Sequence, residues 1–359
     1  MKTTQQLHDL GQSIWLDNIT RELLNDGTLQ RYIGELSVTG LTSNPSIFHH
    51  AIQNGSGYDA AIRRKTAEGK SGEGLFFELA LDDLRRAADL FRPIYDATGQ
   101  VDGRVSMEVS PLLANDTAGT VEQAMQLYAQ GQRANLFIKI PGTREGVPAI
   151  EQSIFAGVPI NVTLLFSCEQ YIASAEAYMR GIERRIAAGL DLKVHSVASL
   201  FVSRWDVAVQ SKVPPALRNH LGIAIAKRTY KAYRELLDSP RWRKLAAAGA
   251  RPQRLLWAST GTKDPDASDT LYIEALVAPD TINTMPDKTL IAFADHGQIK
   301  GVLPADGGDA ERVLAEFTRI GVDDAALADQ LQHEATASFD KSWRGLMECI
   351  AAKWDARER

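Results

Sequence analysis

Cysteine is nearly absent. The 359-residue chain has two, Cys168 and Cys349, far apart and without metal-ligand spacing. That excludes a disulfide framework and a cysteine-based zinc site, and it suits a reducing compartment. An excess of one charge sign is missing as well. The 45 acidic and 40 basic side chains leave a formal charge of -5, so no global field draws the chain to nucleic acid or to an anionic membrane. Any anion must be held by a local pocket. No apolar run is long enough to span a bilayer, and Met1 to Leu16 carry Asp9 and several glutamines where a signal peptide has a continuous apolar stretch. A cytoplasmic protein is expected. The seven histidines are scattered, and His49, His50 and His195 show no ligand spacing, which speaks against a metal-dependent barrel hydrolase. No metal site and no cofactor are expected. A Gly-rich dinucleotide fingerprint after an early strand is also lacking.

What is present is an alternation. Short β-like runs cover Ile14 to Ile19, Leu36 to Leu41, Arg104 to Val109, Leu136 to Ile140, Ile160 to Leu165, Val194 to Phe201, Arg254 to Ser259 and Thr281 to Met285. Between and after them lie stretches rich in Ala, Leu, Glu and Arg, such as Thr120 to Arg133, Cys168 to Gly189, Pro214 to Asp238 and Ala310 to Ile320. Eight strands with helical crossovers predict an α/β chain folded as a parallel (β/α)8 TIM barrel, with a doubly wound open sheet as the other pattern-compatible arrangement. One domain over 1–359 is expected. Residues of about 49–101 and 206–253 read as helical insertions on loops, and about 324–359 as helices packing back on the body.

Lys139 interrupts the apolar run Leu136-Phe137-Ile138-Lys139-Ile140-Pro141. A lysine there either snorkels to water from the strand's end or is buried for its chemistry. Desolvation disfavours the charged form of an amine, and the neutral amine is the nucleophile that forms a Schiff base with a carbonyl. Barrel enzymes take catalytic groups from the C-terminal ends of several strands, so polar counterparts to Lys139 matter. Asp17 closes the first strand, either as a helix N-cap or as a general base. On the third strand Glu108 shares a face with Ser106 and Ser110, and a buried glutamate needs a partner such as a nearby lysine. Asn161 and Thr163 share a face of the fifth strand, as structural hydrogen bonders or as substrate contacts. Ser199 and Phe201 share a face of the sixth, with Arg204 just beyond. Ser259-Thr260-Gly261-Thr262-Lys263 ends the seventh, either an ordinary βα turn or a phosphate site.

Six segments together carry a more specific signal. Leu16-Asp17-Asn18, Thr42-Ser43-Asn44-Pro45, Val105-Ser106-Met107-Glu108-Val109, Ile138-Lys139-Ile140-Pro141, Asn161-Val162-Thr163-Leu164-Leu165-Phe166 and Ser199-Leu200-Phe201-Val202-Ser203-Arg204 resemble transaldolase in this order, over about Asp17 to Lys263. The resemblance implies a class I aldolase barrel and a cofactor-free transferase of the non-oxidative pentose phosphate pathway. Such an enzyme moves a dihydroxyacetone unit from sedoheptulose 7-phosphate or fructose 6-phosphate to glyceraldehyde 3-phosphate or erythrose 4-phosphate. It implies Lys139 as the Schiff-base nucleophile, Asp17 as general acid/base and Glu108 as a proton relay through water. Asn44, Asn161, Thr163 and Ser199 would orient the dihydroxyacetone part and the water, Phe201 would line the pocket, and Arg204 would hold phosphate. Shorter transaldolases carry a second arginine after the seventh strand; here Ser259 and Lys263 stand in that loop, and lysine lacks the bidentate fork. A fructose 6-phosphate aldolase releasing free dihydroxyacetone and a non-catalytic phosphosugar-binding barrel are the alternatives, disfavoured by Glu108 and by the joint presence of Lys139, Asp17 and Glu108. The expected partners are sugar phosphates, with no nucleic acid or membrane, and the chain is expected to be a monomer or a homodimer.

Overall fold

Eight short segments, each buried on both faces, close on one another. The computed structural model of the chain describes residues 2–355, so positions 356–359 of the expected C-terminal helical region lie outside the described residues. Its strands are β1 (Gln12–Asp17), β2 (Val38–Thr42), β3 (Arg104–Glu108), β4 (Leu136–Pro141), β5 (Ile160–Leu165), β6 (Ser196–Phe201), β7 (Arg254–Ala258) and β8 (Thr281–Met285). They pair in sequence order, all parallel, and β8 returns to β1 to complete a closed barrel. This is the (β/α)8 TIM barrel, and the open doubly wound sheet is ruled out. Parallel strands covered by helices outside and packed side chains inside read as apolar runs, which is why the segments are legible in the sequence.

The strand limits differ where a polar residue is buried. β1 starts at Gln12 rather than Ile14 because Gln12 and Ser13 pair with Thr281 and Ile282 of β8. The Gln12 amide donates to the Leu276 carbonyl at 2.7 Å and to Thr281 Oγ1 at 2.8 Å. Those partners lie more than 260 residues away, beyond any local periodicity. At the same end of the barrel Trp15 Nε1 donates to Asp102 at 2.8 Å, and Arg254 donates to Ser13 Oγ at 2.7 Å. These bonds satisfy polar groups that would otherwise be costly to bury.

The loop between β2 and β3 holds three helices, Pro45–Asn54, Asp59–Ala67 and Gly72–Ala97. Between β6 and β7 lie Ser203–Val209, Leu221–Asp238 and Pro240–Ala247. Beyond β8 the expected group of C-terminal helices is instead one 32-residue helix, Asp324–Asp355. Its apolar positions Leu331, Ala335, Phe339, Trp343, Leu346 and Ile350 are all buried, a stripe at helical spacing that needs a neighbour along its whole length. Trp343 anchors it: Phe76 meets its ring edge-on at 5.0 Å, and its Nε1 donates to Glu73 at 2.7 Å. Removing a fully buried indole leaves a cavity as well as lost burial. Trp343→Ala is therefore expected to destabilise the protein by roughly 3–5 kcal/mol in denaturant unfolding. A loss below about 1 kcal/mol would mean that the helix adds little to the fold. Among the described residues no helix is long and apolar enough to cross a membrane.

Candidate active site

Because all strands run the same way, their C-terminal ends share one rim, and the chain's unusual polar residues meet there. Lys139 is one residue short of Ile140 near the end of β4 and is buried, 5% exposed. The β3–β4 register sets Glu108 directly beside it, and the β4–β5 register sets Asn161 on its other side. Lys139 Nζ lies 3.3 Å from Glu108 Oε2 and donates to the Ser43 carbonyl at 2.9 Å. The amine therefore points inward and does not snorkel to water. Behind it Asn161 donates to Ser106 Oγ at 3.0 Å and accepts from Ser199 Oγ at 2.7 Å. Those bonds hold Asn161 without placing it on the cavity wall.

Asp17 ends β1 and caps nothing. Thr20 takes that role, its side chain accepting from the Leu23 N–H at 3.1 Å. The Asp17 carboxylate instead accepts from Thr42 Oγ1 at 2.9 Å and faces the cavity. Burial pushes its pKa above the ordinary 3.8, against the pull of the Lys139 charge and the Thr42 bond. Burial likewise pushes Glu108 above 4.5, with Lys139 opposing. Desolvation wins at both carboxyls, as is common where burial and a nearby charge oppose each other in a cleft. The sign for stability follows. A carboxyl whose folded pKa exceeds its unfolded value contributes stability below the unfolded value and loses it as pH rises through the folded one. Asp17→Asn, which keeps an acceptor for Thr42, is therefore expected to melt at or above the wild-type temperature at neutral pH. That difference should shrink as pH falls toward 4. A melting temperature several degrees lower at pH 7 would mean that the Lys139 interaction outweighs burial.

A cavity of about 200 Å³ opens above these groups, lined by Asp17, Asn44, Lys139, Thr163, Ser199 and Phe201, and toward the mouth by Arg204, Ser259 and Lys263. Nine of the eleven residues singled out in the sequence thus share one wall, with Glu108 and Asn161 supporting it from behind. Asn44 also caps the Pro45–Asn54 helix, its Oδ1 accepting from the Ile47 N–H at 3.1 Å. That leaves its amide N–H groups for a ligand. The Arg204 guanidinium sits over the Phe201 ring at 5.5 Å, and burial lowers its pKa against the pull of Glu334. Ser259 is held in a left-handed conformation, φ 55°, with its hydroxyl 2.9 Å from that of Ser203. The mouth therefore brings together Arg204 from the helix after β6 and, from the turn after β7, Lys263 with its neighbouring hydroxyls, chemistry suited to a phosphate.

The sequence reading missed other wall residues. Thr42 lies inside a segment already singled out, two residues before Asn44. Thr284 is a polar residue in the short strand β8, and its hydroxyl meets that of Thr42 at 2.8 Å. Either hydroxyl had a local signal. Ser46 and Phe339 had none, since Phe339 reaches the cavity from the C-terminal helix.

The geometry names no family by itself, and comparison with known proteins decides. The transaldolase/fructose-6-phosphate aldolase family model matches residues 14–350. The chain belongs to this family. The family's relatives include proteins named transaldolase from Thermobifida fusca, 46% identical with 97% of each chain covered, and from Thiobacillus denitrificans, 45% identical over 98% of this chain and all of that one. A third, from Parafrankia sp., is 44% identical with 97% of each chain covered. The match to the family spans every strand end that lines the cavity.

Proposed function

We propose that this protein is a transaldolase, a transferase acting on sugar phosphates through a lysine Schiff base. The observation that carries this reading is the Lys139 amine, buried at the floor of a polar cavity between Glu108 and Asp17. In this reading Glu108 accepts a proton from Lys139, and the free amine attacks the ketone carbon of the donor. Glu108, through a water, then protonates the departing hydroxyl as the carbinolamine loses water to become an iminium. Asp17 takes the proton from the hydroxyl on the fourth carbon. The bond between the third and fourth carbons breaks, its electrons flow into the iminium, and an aldose phosphate leaves. A three-carbon enamine stays on Lys139. An incoming aldose phosphate captures it by the reverse steps, and hydrolysis frees the amine.

Thr163, Ser199, Asn44 and Asn161 are assigned to orienting the dihydroxyacetone part and the water, and Phe201 to shaping the wall. Arg204 with Ser259 and Lys263 is assigned to the substrate phosphate. We further read the chain as one cytoplasmic domain, monomeric or homodimeric, without nucleic-acid partners. The second reading, an aldolase that releases free dihydroxyacetone, comes from the family's other activity; the carboxylate at Glu108 favours transfer.

The test is intact mass after incubation with fructose 6-phosphate and borohydride without acceptor, followed by peptide mapping. A reduced three-carbon adduct on Lys139 is expected. With erythrose 4-phosphate added, transfer should far outpace release of free dihydroxyacetone. No adduct on folded protein would remove the Schiff-base reading, and release of dihydroxyacetone at the rate of donor use would favour the aldolase.

A further inference from the structure

The C-terminal helix contributes more than a cover, because one of its side chains is bonded to the backbone of the strands that carry the site. Gln332 Nε2 donates to the Gly142 carbonyl at 3.0 Å and to the Leu164 carbonyl at 2.9 Å. Two facing carbonyls require the nitrogen of the amide there, so both N–H groups are used. Gly142 lies three residues beyond Lys139, and Leu164 follows Thr163 on the cavity wall.

The backbone at this point is not ordinary. Val162 pairs with Ala198, and Leu165 with Leu200, so Thr163 and Leu164 together face Ser199 alone. That is a bulge, a device that re-aims side chains beside active sites. Within it Leu164 adopts a left-handed conformation, φ 59°, while 2% exposed. A leucine there costs on the order of 1 kcal/mol or more and persists only when its surroundings over-determine it. Three constraints do so. The Gly142 N–H donates to the Thr163 carbonyl at 2.7 Å. A side-chain carbon on Gly142 would lie 2.3 Å from Leu165 Cδ2, so the two strand ends are in close contact. The third constraint is Gln332, which alone comes from outside the βα units concerned. The Thr163 hydroxyl that this backbone presents is buried without a protein partner, free for substrate.

We propose that Gln332 is a positioning residue of the reaction, locking the β4–β5 rim so that Lys139 and Thr163 stand in reacting register. The inference rests on the Schiff-base reading of the cavity. Since a misplacement of about 1 Å can cost 10²-fold in rate, Gln332→Ala should lower kcat by roughly 10- to 100-fold. KM for the ketose phosphate should change less than kcat, staying within about twofold, because Arg204, Ser259 and Lys263 follow β6 and β7 and not the β4–β5 rim that Gln332 bonds. Gln332→Glu sets a carboxylate against two carbonyls and should fall further at neutral pH, recovering partly at acid pH where a protonated carboxyl donates again.

The readouts are kcat and KM together with the rate of borohydride-trapped adduct on Lys139, which should slow in proportion to kcat. Lys353→Ala is the control. Lys353 ties the far end of the same helix to the Gly55 carbonyl at 2.6 Å and to Asp59 at 2.7 Å, away from the site, and its loss should leave kcat unchanged. Folded Gln332→Ala protein with wild-type kcat and trapping rate would overturn the inference. So would a rise in KM alone, or an equal loss in Lys353→Ala, which would reduce Gln332 to helix docking. Failure of the wild-type protein to trap any adduct would instead strike the Schiff-base reading itself.

Discussion

Lys139→Met is expected to lose transfer activity by at least about 10⁴-fold while remaining folded. The size follows from the proposed role: a covalent nucleophile is not replaced by its neighbours, and its loss forfeits nearly the whole advantage of the covalent route. The second amine in the cavity, Lys263, stands toward the mouth with Arg204 and Ser259 and, among the described residues, forms no ion pair like the 3.3 Å one that Lys139 makes with Glu108. Borohydride with fructose 6-phosphate should therefore leave the variant's mass unchanged. Folding survives because Glu108 can take up a proton. Burial already raises its pKa, and removing the opposing Lys139 charge raises it further. A neutral carboxyl beside methionine avoids the large penalty of a buried unpaired charge. Methionine also fills most of the lysine's volume, where alanine would open a void. Activity within tenfold of wild type, or an adduct mapped to Lys263, would sink the assignment of Lys139 as nucleophile.

The barrel itself was legible because its strands are buried on both faces and so appear as short apolar, β-branched segments between amphipathic ones. Its strand limits were less so. Gln12 and Ser13 are polar, and only their partners across the β8–β1 seam make them strand residues. The line of polar strand ends was readable for a related reason, since Lys139 and Glu108 are conspicuous among apolar neighbours. Their adjacency, however, is a matter of the β3–β4 register, which no local pattern specifies. The contributions of Phe339 and Gln332 were invisible. Their helix shows only a buried stripe, and the carbonyls that Gln332 reaches lie 190 and 168 residues earlier. Contacts of that span are fixed by the closure of the fold, as is the left-handed Leu164, a residue type that ordinarily avoids such backbone.

Asp17→Asn should separate the two halves of the reaction. The amide keeps the Thr42 contact at the end of β1 but cannot take the proton whose removal breaks the carbon–carbon bond, so turnover should fall by roughly 10²–10⁴-fold. In the proposed mechanism attack by Lys139 does not call on Asp17, so the iminium should still form. Borohydride should then trap the intact six-carbon donor on Lys139, where the wild-type protein yields the three-carbon fragment. Glu108→Gln should behave in the opposite way. It removes the group 3.3 Å from the amine to which the proposed mechanism gives the proton transfers of carbinolamine formation and dehydration, so trapped product of either length should appear slowly. The two masses therefore report separate steps: six carbons accumulating means that cleavage has stopped, and little adduct at all means that condensation has. Three-carbon adduct at the wild-type rate in Asp17→Asn would take the cleavage step away from Asp17. The search for the base would then turn to the remaining polar wall, where Thr42 and Thr284 share a hydrogen bond but neither hydroxyl is a base strong enough to act alone.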